Sequence, residues 1–148
     1  SIPLFTALNP KETGVFFENK IKEGLNTNVL MYEYFYNGGG VAAGDFNGDG
    51  LEDLYFTSNL EDNVFYINKG NFKFENQTAS SGLKGRKGPW KTGATAVDIN
   101  NDGKLDLYLS YSGTLPEASP SKRARLISNA ARRLFNSSML MPEVARFS

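Results

Sequence analysis

The sequence predicts an all-β protein built from a repeated unit of short strands and acidic loops. Three observations support this: an internal repeat, several aromatic and β-branched runs of strand length, and the lack of a convincing helical period between residues 29 and 113. The chain has 148 residues, of which 40% are hydrophobic. This is enough for one packed domain, or for a part of one.

The internal repeat has a period of 53 residues. Residues 40–59 read GVAAGDFNGDGLEDLYFTSN, residues 93–112 read GATAVDINNDGKLDLYLSYS, and 9 of the 20 aligned positions are identical. Unrelated segments would share about one position in twenty. The two segments therefore represent the same structural unit, used twice.

Strand-like runs surround the two copies of the repeat, and a Lys69-Gly70-Asn71 turn joins two of them into a hairpin. Four short strands in about 40–50 residues are typical of one blade of a β-propeller. A chain of this length then holds about two blades, which is too few to close a ring. The predicted strands are Val29–Tyr36, Leu54–Thr57, Val64–Asn68, Phe72–Glu75 and Leu107–Ser110.

Each copy of the repeat contains an acidic loop with oxygen-bearing side chains at loop positions 1, 3, 5 and 9. A glycine at position 6 permits a sharp turn, and the residue at position 7 contributes its backbone carbonyl, so that its side chain is free to vary. Calcium binds six to eight such oxygen ligands. The predicted ligands are Asp45, Asn47, Asp49, Leu51 and Asp53 in the first loop, and Asp98, Asn100, Asp102, Lys104 and Asp106 in the second.

Composition narrows the chemistry further. The chain contains no cysteine and no histidine, which excludes disulfides, thiolate zinc sites and the Ser-His triad, and leaves oxygen ligands for hard ions. An EF-hand is an alternative by motif, but its loop ends in a glutamate at position 12, where this chain has Phe56 and Leu109. A solvated Asp/Asn/Gly turn without metal is the other alternative.

The loops and their surroundings resemble the calcium-binding FG-GAP/VCBS repeats of integrin-like β-propellers. The segment NKGNFKFENQTASSGL (68–83) is similar to the outer strands of those repeats. The segments YFYNGGGVAAGDFNGDGLEDLYF (34–56) and WKTGATAVDINNDGKLDLYLSYSG (90–113) resemble the N-terminal propeller of secreted ASPIC/UnbV (cartilage-acidic-protein-like) proteins. The resemblance covers roughly residues 3–121. It implies that the two loops bind two Ca²⁺ ions and brace the propeller.

Three regions follow from these patterns: a lead-in (1–28), propeller blades with two calcium loops (29–113), and an atypical basic tail (114–148). The tail has no glycine and a net charge of +4, against −4 for residues 1–113. Ala124, Ile127, Ala131 and Leu134 have helical spacing. We expect residues 119–148 to be non-propeller and helical or disordered, as a basic amphipathic helix or as a truncated or frameshifted end.

The expected function is a noncatalytic, extracellular calcium-binding scaffold for adhesion or ligand recognition. The alternatives are the calcium-braced propeller part of a polysaccharide lyase or hydrolase, and a nonfunctional truncated product. Expected partners are a protein or glycan ligand and further propeller blades of the parent chain. The net charge of zero argues against nucleic acid, and no apolar run is long enough for a transmembrane segment. The expected location is extracellular, at the cell surface or in the periplasm.

Two other signals favour structure over function. The glycine cluster Gly38–Gly44 loosely resembles a dinucleotide-binding loop, but an acidic loop follows it in place of a helix, so we interpret it as a tight strand entry. Trp90 could stack on a sugar ring, but aromatic residues at strand ends more often belong to a core.

Overall fold

A computed structural model describes residues 3–87, 90–112 and 125–127 of the chain. Most of the described elements are strands, and they form two antiparallel sheets. The first sheet contains β1 (Val41–Gly44), β2 (Asp53–Phe56), β3 (Val64–Asn68) and β4 (Phe74–Asn76). The second contains β5 (Trp90–Val97), β6 (Asp106–Ser112) and β7 (Arg125–Ile127). The all-β prediction is confirmed, and the described strands do not close into a ring.

The first sheet is a meander in which each strand pairs with the next along the chain, in the order β1-β2-β3-β4. Its register pairs Gly44 with Asp53 at the acidic loop, and Leu54 with Tyr66 one strand further out. Side chains in β2 alternate between buried and half-buried, as expected for a strand covered on both faces. The predicted unit of four short strands is therefore present.

The second sheet repeats the first two strands of this arrangement. Val97 pairs with Asp106 across the second acidic loop, as Gly44 pairs with Asp53 across the first. A register shift between Lys91 and Gly93 marks an irregularity in the longer β5 strand. The predicted strands Leu54–Thr57, Val64–Asn68 and Leu107–Ser110 are all confirmed, with small differences at their ends.

The two sheets share one hydrophobic core. It contains Phe46, Tyr55 and Phe65 from the first repeat, and Leu107 and Leu109 from β6. Each of these side chains is at most 5% exposed. Strands β1 and β5 meet so closely that a Cβ atom on Gly40 would lie 2.6 Å from the backbone of residues 93 and 94. The glycines that precede and end β1 therefore permit sheet packing, and Gly38–Gly44 does enter a strand as predicted.

The lead-in packs along the first sheet. It starts with the short helix α1 (Pro10–Thr13), which Asn9 caps by accepting a hydrogen bond from the backbone N–H of Lys11. Beyond it, the ring of Phe17 stacks on that of Phe56 with 4.7 Å between centroids. The Tyr66 hydroxyl accepts a hydrogen bond from the N–H of Phe16. These contacts attach the lead-in to β2 and β3.

The strand predicted for Val29–Tyr36 is wrong, because this segment forms a series of turns. The side-chain oxygen of Asn28 accepts hydrogen bonds from the N–H groups of residues 30 and 31. Its backbone carbonyl oxygen accepts from those of residues 31 and 32, and together these bonds turn the chain directly after Asn28. The aromatic residues that suggested a strand instead pack on Trp90, whose ring lies 5.1 Å from that of Phe35 and 5.6 Å from that of Tyr32. Trp90 is 1% exposed, in agreement with its interpretation as core.

Two further predictions need adjustment. The hairpin strand predicted for Phe72–Glu75 begins two residues later, because Asn71 and Phe72 both have positive φ and belong to the turn. A single helical turn, α2 (Thr78–Ser81), follows β4 within a region predicted to lack helix. Its shortness explains why no helical period was visible in the sequence.

Only Arg125–Ile127 of the basic tail lies within the described residues. Its backbone pairs antiparallel with β6, so the helical prediction is wrong at these three positions. The remainder of the prediction for residues 119–148 lies outside the described residues. Within the described part of the chain, no helix has the length and hydrophobicity needed to span a bilayer.

Candidate metal centre

The first acidic loop folds around the carboxylate of Asp45. Its Oδ1 accepts hydrogen bonds from the N–H groups of Gly48 (2.7 Å) and Asp49 (3.1 Å), and its Oδ2 accepts one from Gly50 (2.8 Å). Asn47 Nδ2 donates to Asp49 Oδ2 at 2.9 Å. The side chains at positions 1, 3 and 5 are therefore held together by one tight turn.

The second acidic loop repeats these contacts almost one for one. Asp98 Oδ1 accepts from the N–H of Asp102 at 3.1 Å, and Asp98 Oδ2 accepts from that of Gly103 at 2.8 Å. Asn100 Nδ2 donates to Asp102 Oδ2 at 2.9 Å, as in the first loop. Gly50 and Gly103, at position 6, both have φ of +82°, a conformation that favours glycine.

The carboxylates at position 9 lie beneath the loops. Asp53 is fully buried, and its two oxygens accept hydrogen bonds from the N–H groups of Phe46 (3.1 Å) and Asn68 (2.9 Å). Asp106 is 5% exposed and accepts from the N–H of Ile99 at 3.3 Å. Asp53 thus connects the start of its loop to the end of β3.

Electrostatics differ between the ends of the first loop. The backbone N–H of Gly50 is the largest of the influences that hold the pKa of Asp45 below its ordinary value. Burial raises the pKa of Asp53, against the hydrogen bonds from Asn68 and Phe46, and the charges of Asp49 and Asp45 raise it further. The three carboxylates are therefore close enough to repel one another, and a cation among them would relieve that repulsion.

The donors fit calcium by chemical type. Each loop offers carboxylate and amide oxygens together with a backbone carbonyl, the hard ligands that Ca²⁺ prefers. In residues 3–87, 90–112 and 125–127, however, no three carboxylates are already gathered as a metal cluster. In the present arrangement the carboxylates of Asp45 and Asp98 are turned toward backbone N–H groups. A carboxylate has about four lone-pair sites, so these hydrogen bonds leave Asp45 and Asp98 with acceptor capacity for a metal ion.

All ten predicted ligands lie in or next to these two loops. The members at positions 3, 5 and 7 are solvent-accessible, those at position 1 are half-buried, and those at position 9 are buried. Leu51 lies near Gly70, in the β3–β4 turn of the same repeat. Lys104 instead lines a cleft between the two repeats. Their role as ligands remains a prediction.

A buried polar network was not predicted from the sequence. Asn63 is fully buried, accepts a hydrogen bond from the N–H of Ser58 and donates to the Tyr55 hydroxyl at 2.7 Å. Asn59 donates to the carbonyl oxygen of Lys91 at 2.7 Å, and Asn19 donates to Asn59 Oδ1 at 2.6 Å. The network joins the lead-in, the first sheet and β5. The sequence feature that indicates this network is the pair of asparagines in the segment SNLEDN (58–63), which directly follows a predicted strand.

Comparison with known proteins supports the repeat. Residues 45–109 match the FG-GAP-like repeat family. This match starts at the first aspartate of the first loop and ends in β6, so it includes both acidic loops and somewhat less than half of the chain. No curated protein and no solved structure matches the chain. The FG-GAP-like repeat is supported, and the resemblance to ASPIC/UnbV proteins remains a prediction.

Proposed function

We propose that residues 41–112 form a calcium-braced, noncatalytic repeat scaffold that acts outside the cell in adhesion or ligand recognition. The observation that carries this proposal is the agreement between the two loops. Asn47 and Asn100 donate to the following aspartate at the same 2.9 Å, and Gly50 and Gly103 donate to the first aspartate at the same 2.8 Å. Solvated turns without a shared task would have no reason to keep the same oxygen-bearing residues in the same geometry.

Calcium at each loop would act on the sheets as well as on the loop. Asp53 would share its oxygens between the ion and the strands, because it already accepts a hydrogen bond from the end of β3. An ion bound there would join the β1–β2 connection to β3 and offset the repulsion among Asp45, Asp49 and Asp53. Binding to the folded state alone adds to the free energy of unfolding.

The extracellular assignment rests on the match to an FG-GAP-like repeat and on the kind of site. Extracellular calcium modules work with dissociation constants of about 10⁻⁴–10⁻³ M, because calcium is abundant there. Exposed loops with few ligands from outside the turn are suited to that range. The packed sheets would then present a ligand-binding surface whose order depends on external calcium.

The test is a calcium titration of chelator-stripped protein by calorimetry, with magnesium as the control ion. We expect two Ca²⁺ per chain, one Ca²⁺ for Asp49→Ala and one for Asp102→Ala, with a calcium-dependent rise in melting temperature. Circular dichroism establishes that each sample is folded. A folded wild-type protein that binds no calcium at 10⁻² M, roughly ten times the weakest expected constant, would contradict the proposal.

A further inference from the structure

A cleft of about 710 Å³ lies between the two repeats, and the acidic loops form part of its walls. Residues 45–48 of the first loop and residues 103–105 of the second both line it. The β3 strand, Lys69 and the region of α2 complete it. Its volume lies within the range of about 300–1,000 Å³ that is typical of small-molecule sites.

The base of the cleft is apolar and rigid. Phe46 and Phe65 are 5% and 1% exposed, and their rings meet edge to face with 5.9 Å between centroids. Both belong to the core shared by the sheets, with Ile67 and Leu105 packed beside them. The half-buried side chains of Ile67 and Leu105 are the accessible part of this base; they suit the carbon face of a small ring, and their packing on the core limits the conformational freedom lost on binding.

Lysines outnumber carboxylates at the rim of the cleft. Three charged residues line the cleft: Asp45, Lys69 and Lys104. The Asp45 carboxylate already accepts hydrogen bonds from three backbone N–H groups of its own loop. Lys69 pairs with Glu75 at 3.2 Å, but both side chains are about half exposed, so this pair is weak and a ligand can compete for the lysine.

Lys104 is the second lysine that lines the cleft. Among the described residues, no carboxylate lies within ion-pair distance of its ammonium group. The equivalent position of the first loop holds Leu51, which lies near Gly70 of its own hairpin. Position 7 of the loop needs only a backbone carbonyl, so the side chain there is available for a separate purpose. The first copy of the repeat has an apolar side chain at this position, and the second copy has a charged one.

Polar groups complete the lining. Asn47, Gln77, Ser80 and Ser81 carry amide and hydroxyl groups into the wall of the cleft. Asn47 already donates to Asp49 and the Ser80 hydroxyl to the Gln77 carbonyl, so these side chains offer a ligand their remaining lone pairs and amide protons. Lysine supplies a charge-assisted hydrogen bond to an anion. An apolar base, polar side chains in the wall and two lysines together favour a ligand that carries a small ring, hydroxyl groups and an anionic group.

We propose that this cleft binds a hydroxylated carboxylate, such as a uronic acid unit, with its ring on Ile67 and Leu105 and its carboxylate between Lys69 and Lys104. The cleft forms only when both repeats pack together, since each contributes one of the two lysines. The cleft shares Asp45, Asn47 and Lys104 with the two loops, so binding is measured both with calcium and with chelator.

The test compares glucuronate with glucose, which differ in a carboxylate against a hydroxymethyl group, and uses acetate as the simple carboxylate. Binding is followed by the amide NMR signals of residues 48, 69, 80 and 104, in calcium and in chelator. We expect saturable shifts with glucuronate, with an affinity about tenfold higher than that for either control, because each lacks one half of the recognised chemistry. The dispersion of the same spectra shows that the protein is folded.

Variants assign the charge. Lys104→Gln and Lys69→Gln should each weaken glucuronate binding about three- to tenfold. Lys22→Gln, an exposed lysine that does not line the cleft, should leave the affinity unchanged. Equal binding of glucose and glucuronate would overturn the carboxylate assignment. No shift at any of the four amides in folded protein at 50 mM glucuronate, roughly the weakest affinity worth calling a site, would overturn the site itself.

Discussion

The two acidic loops have nearly the same hydrogen bonds but are anchored differently to their sheets. In the first repeat, Asp53 is fully buried and accepts from Phe46 and Asn68 at 3.1 and 2.9 Å. In the second, Asp106 is 5% exposed and accepts from Ile99 at 3.3 Å. The comparison teaches that the turn itself is specified locally, whereas its coupling to the sheet depends on how deeply the hydrogen bond to the position 9 carboxylate is buried.

The largest expected effect tests that coupling. Asp53→Ala removes the acceptors of the buried N–H of Phe46 and the partly buried N–H of Asn68, so we expect a loss of about 3 kcal/mol in the free energy of unfolding. Asp106→Ala should cost less, because the hydrogen bond from the Ile99 N–H is longer and only partly buried, whereas that from Phe46 to Asp53 is buried. Urea denaturation in calcium and in chelator measures both. Equal losses in the two variants would remove the distinction between the loops.

The contact between the repeats provides the next prediction. Gly40→Ala places a methyl group 2.6 Å from the backbone of residues 93 and 94, which must move, at a cost of about 1–3 kcal/mol. Gly38→Ala is the matched control, since nothing lies within 4 Å of its added Cβ. The same denaturation experiment compares them. A Gly40→Ala protein as stable as the control would mean that the sheets do not approach as described.

A buried lysine next to the polar network distinguishes β5 from β1. Lys91 is 3% exposed, and burial lowers the pKa of its amine, while Asp62 opposes this change. The folded state therefore disfavours the charged form, so stability is lost as pH falls through the ordinary lysine pKa, and the loss is complete below the folded value.

Lys91→Met removes this penalty. We expect its melting temperature at pH 7 to rise by about 2–4 °C, and its stability to depend less on pH in the alkaline range than that of the wild type. Lys87→Met, at an exposed position, serves as the control and should change neither quantity. A lower melting temperature for Lys91→Met would show that the bond from its ammonium group to the Arg86 carbonyl outweighs the burial cost.

The smallest effect concerns one backbone position of the turn. Gly48 has φ of +80°, and its counterpart Asn101 has φ of +57°. Because asparagine tolerates this conformation, Gly48→Asn should cost less than about 1 kcal/mol, whereas Gly48→Val should cost more, although nothing lies within 4 Å of an added Cβ. Thermal unfolding measures both variants. Equal costs would contradict the conformational explanation.

Much of the fold was predictable because the repeat and the period-2 strands are local signals. The loop residues Asp45–Asp53 and Asp98–Asp106 specify their turns through contacts within nine residues, so spacing alone located them. Val29–Tyr36 has the composition of a strand, but Asn28 bends the chain and Trp90, far along the sequence, takes up the aromatic rings. Such a tertiary contact leaves no local pattern.

The same limit applies to the candidate sites. The loop ligands were predictable by position, but the placement of Lys104 at a cleft was not, because the other repeat supplies much of the lining, including Phe65 and Ser80. The Asn59–Lys91 contact likewise spans 32 residues. Spacing identifies residues that act within one turn, and it cannot identify those that meet only after the sheets have packed.

The core shared by the two sheets has a consequence during synthesis. As the chain leaves the ribosome, Phe46, Tyr55 and Phe65 emerge well before Leu107 and Leu109, the residues that help to bury them in the finished protein. At about 5–20 residues per second, the first sheet waits a few seconds with that face uncovered. Chaperone contact with the nascent chain is therefore expected to peak in this interval and to fall once β6 has emerged.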